Sequence, residues 1–155
     1  MEDNLAQKPE AWREFWSGRT PYHELFLKDT YGERPYVLKY VPRKGKVIEA
    51  GSGLGRVSFY LEKLGIDIIG VDFSKKDLCQ CRSFSRKNNF DPSRFIYGDI
   101  LDLPFRDSSC SGYLSFGVVE HFIEGPQKPL KEAYRVLRPG GILILTTPNR
   151  FAIHR

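Results

Sequence analysis

The part of this sequence best suited to chemistry is an apolar segment that runs directly into a glycine turn. The run reads Val47-Ile48-Glu49-Ala50-Gly51-Ser52-Gly53-Leu54-Gly55, and the next apolar segment ends at Val71-Asp72. Because parallel strands end at the same edge of a sheet, this order brings a glycine turn and a carboxylate together. Glycine lets a ligand approach the backbone, and a carboxylate can accept hydrogen bonds from both ribose hydroxyls. The sequence therefore predicts a site for a nucleoside-bearing ligand at this edge.

The spacing of the glycines separates the classes of nucleoside ligand. They read G-x-G-x-G at positions 51, 53 and 55, whereas a dinucleotide fingerprint reads G-x-G-x-x-G/A. Where that fingerprint requires its third glycine or an alanine, this sequence has Arg56. That side chain would obstruct close helix–strand packing at a pyrophosphate. A triphosphate-binding G-x-x-x-x-G-K-[ST] run is also missing from the sequence. The pattern disfavours both ligand classes, while a turn needed only for its backbone geometry stays open.

Short apolar runs alternate with amphipathic stretches after Pro42, and this alternation predicts the fold class. Strands are predicted at 46–50, 67–71, 94–97, 112–116 and 141–147, with helices at 55–64, 75–88 and 129–137. Ser74 is a suitable N-cap for the second helix, and a Pro139-Gly140-Gly141 turn is expected to separate the last helix from the last strand. Right-handed crossovers then give an α/β, doubly wound parallel sheet of about five strands with helices on both faces.

Composition divides the chain into an aromatic-rich helical segment, 1–42, and an α/β domain, 43–155. Two short helices are predicted in the first segment, at 10–16 and 35–41. One interpretation is that they pack on the sheet. The other is that the segment forms a lid over the ligand pocket through Trp16, Arg19 or Tyr22, and His23 is a weaker candidate for a contact there.

The bulk composition excludes several classes of function. The chain has 155 residues, of which 41% are hydrophobic and 28% charged, and its net charge of +5 comes from scattered basic residues. No clear nucleic-acid footprint follows from this pattern, and no apolar run is long enough to cross a membrane. The cysteines Cys79, Cys81 and Cys110 form neither a disulfide framework nor a zinc pattern. We therefore expect no metal site and a reducing, cytoplasmic location.

Four segments follow the glycine run in a fixed order: Gly70–Ser74, Gly98–Phe105, Phe116–His121 and Arg135–Thr146. With them, the sequence resembles the class I S-adenosylmethionine-dependent methyltransferases, in particular the small-molecule type with a G-D-x-x-x-L-P-F segment. The resemblance covers about residues 45–147. It implies a Rossmann-like fold, S-adenosylmethionine as cofactor, and in-line transfer of its methyl group to an acceptor, with a small molecule expected first. The alternative is a non-catalytic cofactor-binding domain that acts through a partner chain.

The resemblance assigns the end of the cofactor that carries methionine and ribose to the first two strands. Glu49, Gly51 and Gly53 would lie against this part, with Glu49 near the cationic amino group. Asp72 matches the acid that binds the ribose hydroxyls. Phe73 would lie along the adenine.

The later motifs imply roles at the base and at the methyl group. Asp99 would accept a hydrogen bond from the adenine amino group, and the amide of Ile100 would reach a ring nitrogen. Phe116 would offer its carbonyl to the cofactor amino group. His121, in Glu120-His121, is a weak candidate for a general base, and a structural role for this histidine stays open.

The sequence departs from the family pattern near its last strand. Methyltransferases of this class usually continue with an antiparallel hairpin, which is lacking before Arg155. The apolar run 142–145 predicts a strand buried on both faces, yet without the hairpin it would form an edge and favour self-association. The chain is then a piece of a longer protein, a naturally short protein whose edge a partner covers, or a minimal domain that covers this edge with its own N-terminal segment.

Overall fold

Five parallel strands form one sheet in the part of the chain that the computed structural model describes, residues 32–148. The strands are β1 (Val47–Ala50), β2 (Ile68–Asp72), β3 (Phe95–Tyr97), β4 (Cys110–Phe116) and β5 (Leu137–Thr146). Their order across the sheet is β3-β2-β1-β4-β5. The predicted α/β, doubly wound architecture is confirmed. The helix predicted at 10–16, the lid candidates Trp16, Arg19 and Tyr22, and His23 lie outside the described residues.

Within residues 32–148, four α-helices connect or flank these strands: α1 (Arg34–Tyr40), α2 (Arg56–Lys63), α3 (Lys75–Lys87) and α4 (Gln127–Val136). Each confirms a helix predicted from the sequence, with small differences at the ends. Single 3-10 turns lie at Pro92–Arg94 and Val119–His121. The predicted N-cap of α3 is also confirmed, because the Ser74 hydroxyl accepts a hydrogen bond from the Asp77 amide at 3.3 Å.

Helices and loops cover both faces of the sheet, and alternate strand residues contact opposite layers. Val47 and Leu114 pack with α1 and α2 in one apolar cluster. Ile48 and Tyr113 belong to the cluster on the opposite face, which is completed by α4 and by the loop after β3. Burial on both sides explains why the short strand β1 is fully buried along its length. The division of the chain at residues 42 and 43 stays a prediction.

The start of β5 differs from the prediction. The strand begins at Leu137, which is paired with Cys110, so Pro139 and Gly140 lie inside it rather than in a preceding turn. The register with β4 shifts between Cys110 and Gly112. Such an irregularity accommodates a proline and the positive φ of 73° at Gly140, which regular pairing would not.

Strand β5 is one of the two outer strands of the sheet within residues 32–148, and β3 is the other. Ile142 is 37% exposed and Leu143 is 42% exposed, and Ile144 and Leu145 are half-buried. The apolar run therefore lies on an edge strand and is only partly buried, as expected for this strand without a further neighbour, because no other strand or helix of the described part of the chain covers it. Self-association through this strand stays a prediction. No helix in the described range is long and apolar enough to cross a membrane.

Gly55 is required by the close approach of α2 to β3. Its φ is +74°, and a Cβ at this position would lie 2.5 Å from Cε1 of Phe95. Phe95 is fully buried, and its ring lies 4.7 Å from that of Phe59, measured between centroids. The third glycine of the G-x-G-x-G run thus serves the packing of a helix on a strand.

We expect Gly55→Ala to lower the free energy of unfolding by about 3 kcal/mol, because it adds a steric clash to a strained left-handed backbone. Gly65→Ala is the matched control: its φ is +78°, but nothing lies within 4 Å of an added Cβ. The control should lose about 1 kcal/mol, the cost of the backbone conformation alone. Urea denaturation measures both values, and equal losses would contradict the packing role of Gly55.

Candidate functional site

The candidate site lies where the carboxyl ends of four neighbouring strands meet. The order of strands reverses between β1 and β4, and ligands of open parallel α/β sheets bind in the crevice outside such a reversal. The loops after β1 and β4 touch there, since a Cβ at Gly51 would lie 2.6 Å from Cγ2 of Val118. The sheet therefore brings the predicted glycine turn and the residues after β4 to one crevice.

The amides of the glycine loop are used inside the protein. Gly51 and Ser52 donate to the carbonyl of Val71 at 2.9 and 3.0 Å, and the amide of Gly55 donates to the carbonyl of Ser52 at 2.8 Å. The amide of Gly53 donates to Oδ2 of Asp72 at 2.7 Å. A phosphate-binding loop needs several free amides that point at the anion. In this loop, four amides instead donate to acceptors of the protein itself.

Glu49 occupies the position at the start of α2 where a phosphate would bind. Its Oε2 accepts hydrogen bonds from the amide of Ser58 at 2.8 Å and from the Ser58 hydroxyl at 2.6 Å. The side chain is buried, with 4% of the residue exposed. An internal carboxylate at a helix N-terminus interacts favourably with its unpaired amides and repels an incoming anion. This geometry is a second observation, besides the glycine spacing, that disfavours a dinucleotide as the ligand.

Burial also controls the protonation of Glu49. Loss of contact with water raises the pKa of this carboxyl from 4.5 to about 7, against the opposing effects of the Ser58 hydrogen bonds and the positive charge of Arg56. The neighbouring carboxylate of Asp72 raises the pKa further. Glu49 therefore changes charge near neutral pH, and a cation bound beside it would favour the charged form.

Asp72 joins the end of β2 to the glycine loop. Its Oδ2 accepts from Gly53, as described above, and its Oδ1 accepts from the amide of Ser74 at 2.8 Å. Burial raises the pKa of Asp72, and both hydrogen bonds oppose that effect. A carboxylate offers about four lone-pair positions. A carboxylate oxygen that accepts one bond can accept another, and a ribose presents two hydroxyl donors.

Asp99 lies in a turn just after β3, next to Asp72. The amide of Gly98 donates to the carbonyl of Asp72 at 3.1 Å, which connects the two strand ends. The Asp99 side chain is exposed, and its Oδ1 accepts from the amide of Leu101 at 2.9 Å. Ile100 points into the core, with 7% of its surface exposed. The turn thus presents one carboxylate at the edge while its apolar neighbour anchors it.

The remaining predicted residues lie around the same crevice. Phe73 is 43% exposed immediately after Asp72, and Phe116 is half-buried at the end of β4, in register with Thr146. His121 is half-buried in the turn after β4, with its Nε2 3.9 Å from Oε1 of Glu120. Their roles toward a cofactor or acceptor stay predictions.

Sequence reasoning missed several residues that hold the site together. Ser58 and Cys81 support it from the helices, the first through Glu49 and the second through a contact of its Sγ with the carbonyl of Gly53 at 3.5 Å. Neither stands in a pattern that would have indicated this. Glu132 and Arg135 do carry a signal, the i, i+3 spacing of opposite charges on a helix. Residues 32–148 contain no group of three or more potential metal ligands.

Fold and site together define an α/β protein with three carboxyl side chains at or near the carboxyl ends of neighbouring parallel strands. The profile of the methyltransferase domain family matches residues 48–145. This match spans more than half of the chain, and the chain belongs to the methyltransferase domain family.

Curated relatives carry the same stretch of sequence. A probable S-adenosylmethionine-dependent methyltransferase of Mycolicibacterium smegmatis is 31% identical over 104 residues, which are 67% of this chain and 38% of the relative. Malonyl-[acyl-carrier protein] O-methyltransferase of Pectobacterium atrosepticum is 30% identical over 121 residues, 78% of this chain and 46% of the relative. The chain therefore spans less than half the length of these relatives.

Solved structures share the fold. A protein of Pyrococcus horikoshii superposes with a TM-score of 0.64 at 27% identity, over 91% of this chain and 60% of that chain. A SAM-dependent methyltransferase of Thermotoga maritima gives a TM-score of 0.55 at 25% identity, over 94% of this chain and 60% of that one.

The raised pKa of Glu49 predicts a specific pH dependence of stability. Between pH 4.5 and about 7 the folded state keeps this carboxyl protonated while the unfolded state loses the proton, so the free energy of unfolding falls as pH rises. Relative to Glu49→Gln, the native protein should lose about 3 kcal/mol across this range, given about 1.4 kcal/mol per pKa unit.

Urea denaturation at a series of pH values between 4 and 8 measures this difference. Asp102→Asn, which removes an exposed carboxylate, is the control and should follow the native protein at every pH. Parallel curves for the native protein and Glu49→Gln would contradict the assignment of a raised pKa to Glu49.

Proposed function

We propose that this chain binds S-adenosylmethionine and, as part of the protein to which it belongs, transfers the methyl group of this cofactor to a small-molecule acceptor. Membership of the methyltransferase domain family supports the reaction class. The observation that carries the proposal is the arrangement of Glu49, Asp72 and Asp99, because three acceptor side chains lie at or near the carboxyl ends of three neighbouring strands while four loop amides are already used.

Such an edge selects a ligand that is rich in donors and positive charge. S-adenosylmethionine has an ammonium group, a sulfonium, two ribose hydroxyls and an adenine amino group, and all of these interact favourably with carboxylates. A dinucleotide would instead bring a pyrophosphate to the Glu49 carboxyl, whose charged form an anion disfavours and a cation favours. Electrostatics therefore favours the methyl donor over nicotinamide dinucleotides.

The proposed roles follow the positions of the side chains along the edge. Glu49 lies beneath the glycine loop and would face the ammonium group, with Gly51 and Gly53 allowing close contact. Asp72 would accept hydrogen bonds from the ribose hydroxyls.

The loops after β2 and β3 would contact the adenine base, and the end of β4 would contact the region of the methyl group. The exposed ring of Phe73 would cover one face of the adenine, Asp99 would accept from its amino group, and the amide of Ile100 would donate to a ring nitrogen. Phe116 would contribute its carbonyl on the side of the methyl group.

When bound, S-adenosylmethionine supplies a methyl group on a positively charged sulfur, which makes the carbon electrophilic. The work left to the chain is alignment of donor and acceptor and exclusion of water. Glu49 and Asp72 hold the donor end in place, and Phe116 borders the crevice on the acceptor side. His121 would take a proton from the acceptor only if that group has a high pKa.

A small-molecule acceptor is supported by the names of relatives. One relative from Roseobacter denitrificans, 35% identical over 109 residues, is a ubiquinone/menaquinone biosynthesis C-methyltransferase. Location in the cytoplasm is supported by Cys79, Cys81 and Cys110, which are all free thiols.

We expect the chain to bind S-adenosylhomocysteine, the product form of the cofactor, and Asp72→Ala to weaken this binding at least about 100-fold, because each hydrogen bond to a charged acceptor contributes about 1.5–3 kcal/mol. Isothermal titration calorimetry measures the affinity. Asp67→Ala is the control, since Asp67 lies before the opposite end of β2 and pairs with Arg94 at the surface. Absence of binding by the native chain, or binding of NADH in its place, would overturn the proposal.

Methyl transfer from labelled S-adenosylmethionine to a panel of small-molecule acceptors tests the reaction. We expect turnover, and for acceptors with a hydroxyl of high pKa we expect His121→Asn to lower kcat about 100-fold, as for loss of a general base. An unchanged kcat with such acceptors would assign His121 a structural role. Binding without turnover on every acceptor would favour a non-catalytic cofactor-binding domain.

A further inference from the structure

The loop between β3 and β4 carries Asp99 but has no regular structure of its own. Residues 98–109 form only turns and one isolated pairing between Asp99 and Asp102. Because it belongs to no strand or helix, this segment needs partners outside itself for several of its backbone groups. Two side chains of α4, Glu132 and Arg135, supply them.

Glu132 and Arg135 hold the middle of this loop at both backbone groups of one residue. The amide of Leu103 donates to Oε1 of Glu132 at 2.6 Å. The carbonyl of Leu103 accepts from Nη2 of Arg135 at 3.0 Å. The two side chains also bind each other, at 2.8 Å through Nε and Oε2 and at 2.6 Å through Nη2 and Oε1. Glu132 is buried, with 8% exposed, whereas the Arg135 side chain is 32% exposed, and hydrogen bonds between charged groups of this kind are short and strong.

Arg135 holds the rest of the loop through its other nitrogen. Nη1 donates to the carbonyl of Phe105 at 2.8 Å and to Oδ1 of Asp107 at 2.7 Å. The backbone carbonyl of Arg135 accepts from the amide of Ser108 at 2.8 Å. The loop is thus fastened to α4 at four of its residues by one helix turn.

A short chain of contacts connects Leu103 to the carboxylate of Asp99. The amide of Asp102, the residue before Leu103, donates to the carbonyl of Asp99 at 3.1 Å, and the amide of Leu101 donates to its side chain. Ile100 and Leu103 are both buried in the apolar cluster that includes Ala133 and Val136 of α4. The position of the turn 99–102 therefore depends on where α4 holds Leu103.

We propose that Glu132 and Arg135 are positioning residues for the part of the cofactor that carries the adenine. By fixing Leu103, they place the Asp99 carboxylate and the Ile100 amide within hydrogen-bonding distance of the base. They do not touch the cofactor themselves. This inference rests on the proposed function, since it assumes that the crevice binds a nucleoside whose base reaches Asp99.

A comparison of two ligands isolates this role. S-adenosylhomocysteine presents an amino group to Asp99, whereas S-inosylhomocysteine presents a carbonyl, which a carboxylate repels. The native chain should prefer the adenine ligand at least about tenfold. Glu132→Gln and Arg135→Met should bring this preference close to one. Loss of folded protein alone would weaken both ligands equally, so their ratio separates positioning from stability.

Two further variants complete the calorimetric test. Arg138→Met removes an exposed arginine at the start of β5 and should keep the native preference. Asp99→Asn should reduce it, and Arg135→Met should change the ratio less in the Asp99→Asn background than in the native chain, because the two substitutions share the Asp99 carboxylate. An unchanged ratio in Glu132→Gln and Arg135→Met, with Asp99→Asn reduced, would overturn the positioning role alone. A native chain that binds neither ligand would instead overturn the proposed function.

A measurement on the native chain keeps the inference testable if the variants do not fold. Coupling between two groups is reciprocal, so a cofactor held by the turn must in return stabilise the bond between Leu103 and Glu132. Hydrogen exchange of the Leu103 amide should slow at least about tenfold when S-adenosylhomocysteine binds. The Val41 amide, which donates to Val37 at the end of α1, serves as the control and should change less. Equal slowing of both amides, or no slowing at Leu103, would contradict the coupling.

Discussion

The buried carboxylate of Glu49 is the interaction on which the crevice depends. Glu49 lies near the carboxyl end of β1, and through Ser58 its carboxylate fixes the first turn of α2 against that strand. The glycine loop between them therefore has both of its ends held. Because the carboxylate satisfies the start of the helix from inside, the loop need not offer amides to a ligand, and the ligand must be recognised by acceptors. The chemistry of the whole edge follows from this one side chain.

Asp72 extends the same principle to the next strand. Its carboxylate binds an amide of the glycine loop and an amide of its own turn, so the ends of β1 and β2 form one unit before any ligand arrives. The third acid, Asp99, stands on a loop without regular structure and takes its position from α4. The acid proposed to bind the ribose is thus built into the sheet, whereas the acid proposed to bind the base lies on a loop that one helix supports. Preorganised acceptors of this kind reduce the ordering that binding would otherwise require.

The sequence predicted the architecture well because its signals are local. Apolar runs and the cap at Ser74 depend on neighbouring residues, and the G-x-G-x-G spacing indicated a turn without free phosphate contacts. Distant contacts were not predictable. Gly55 is needed because of Phe95, which lies forty positions along the chain, and the start of β5 depends on its register with β4. Glu132 and Arg135 likewise support Leu103 from a helix about thirty residues further along the chain, and no sequence pattern connects that helix with the loop.

The cost of this edge is itself an argument for its ligand. Glu49 and Asp72 lie close enough for the charge of Asp72 to raise the pKa of the Glu49 carboxyl, and burial raises the pKa of both groups. A fold optimised for stability alone would cap α2 with a neutral hydroxyl and would avoid two neighbouring acids in its interior. Perturbed carboxyls that converge on a crevice indicate a functional site more often than a structural one. The ligand that offsets this cost is one that brings positive charge and hydrogen-bond donors to the same place, which is the chemistry of a sulfonium nucleoside with a free amino group.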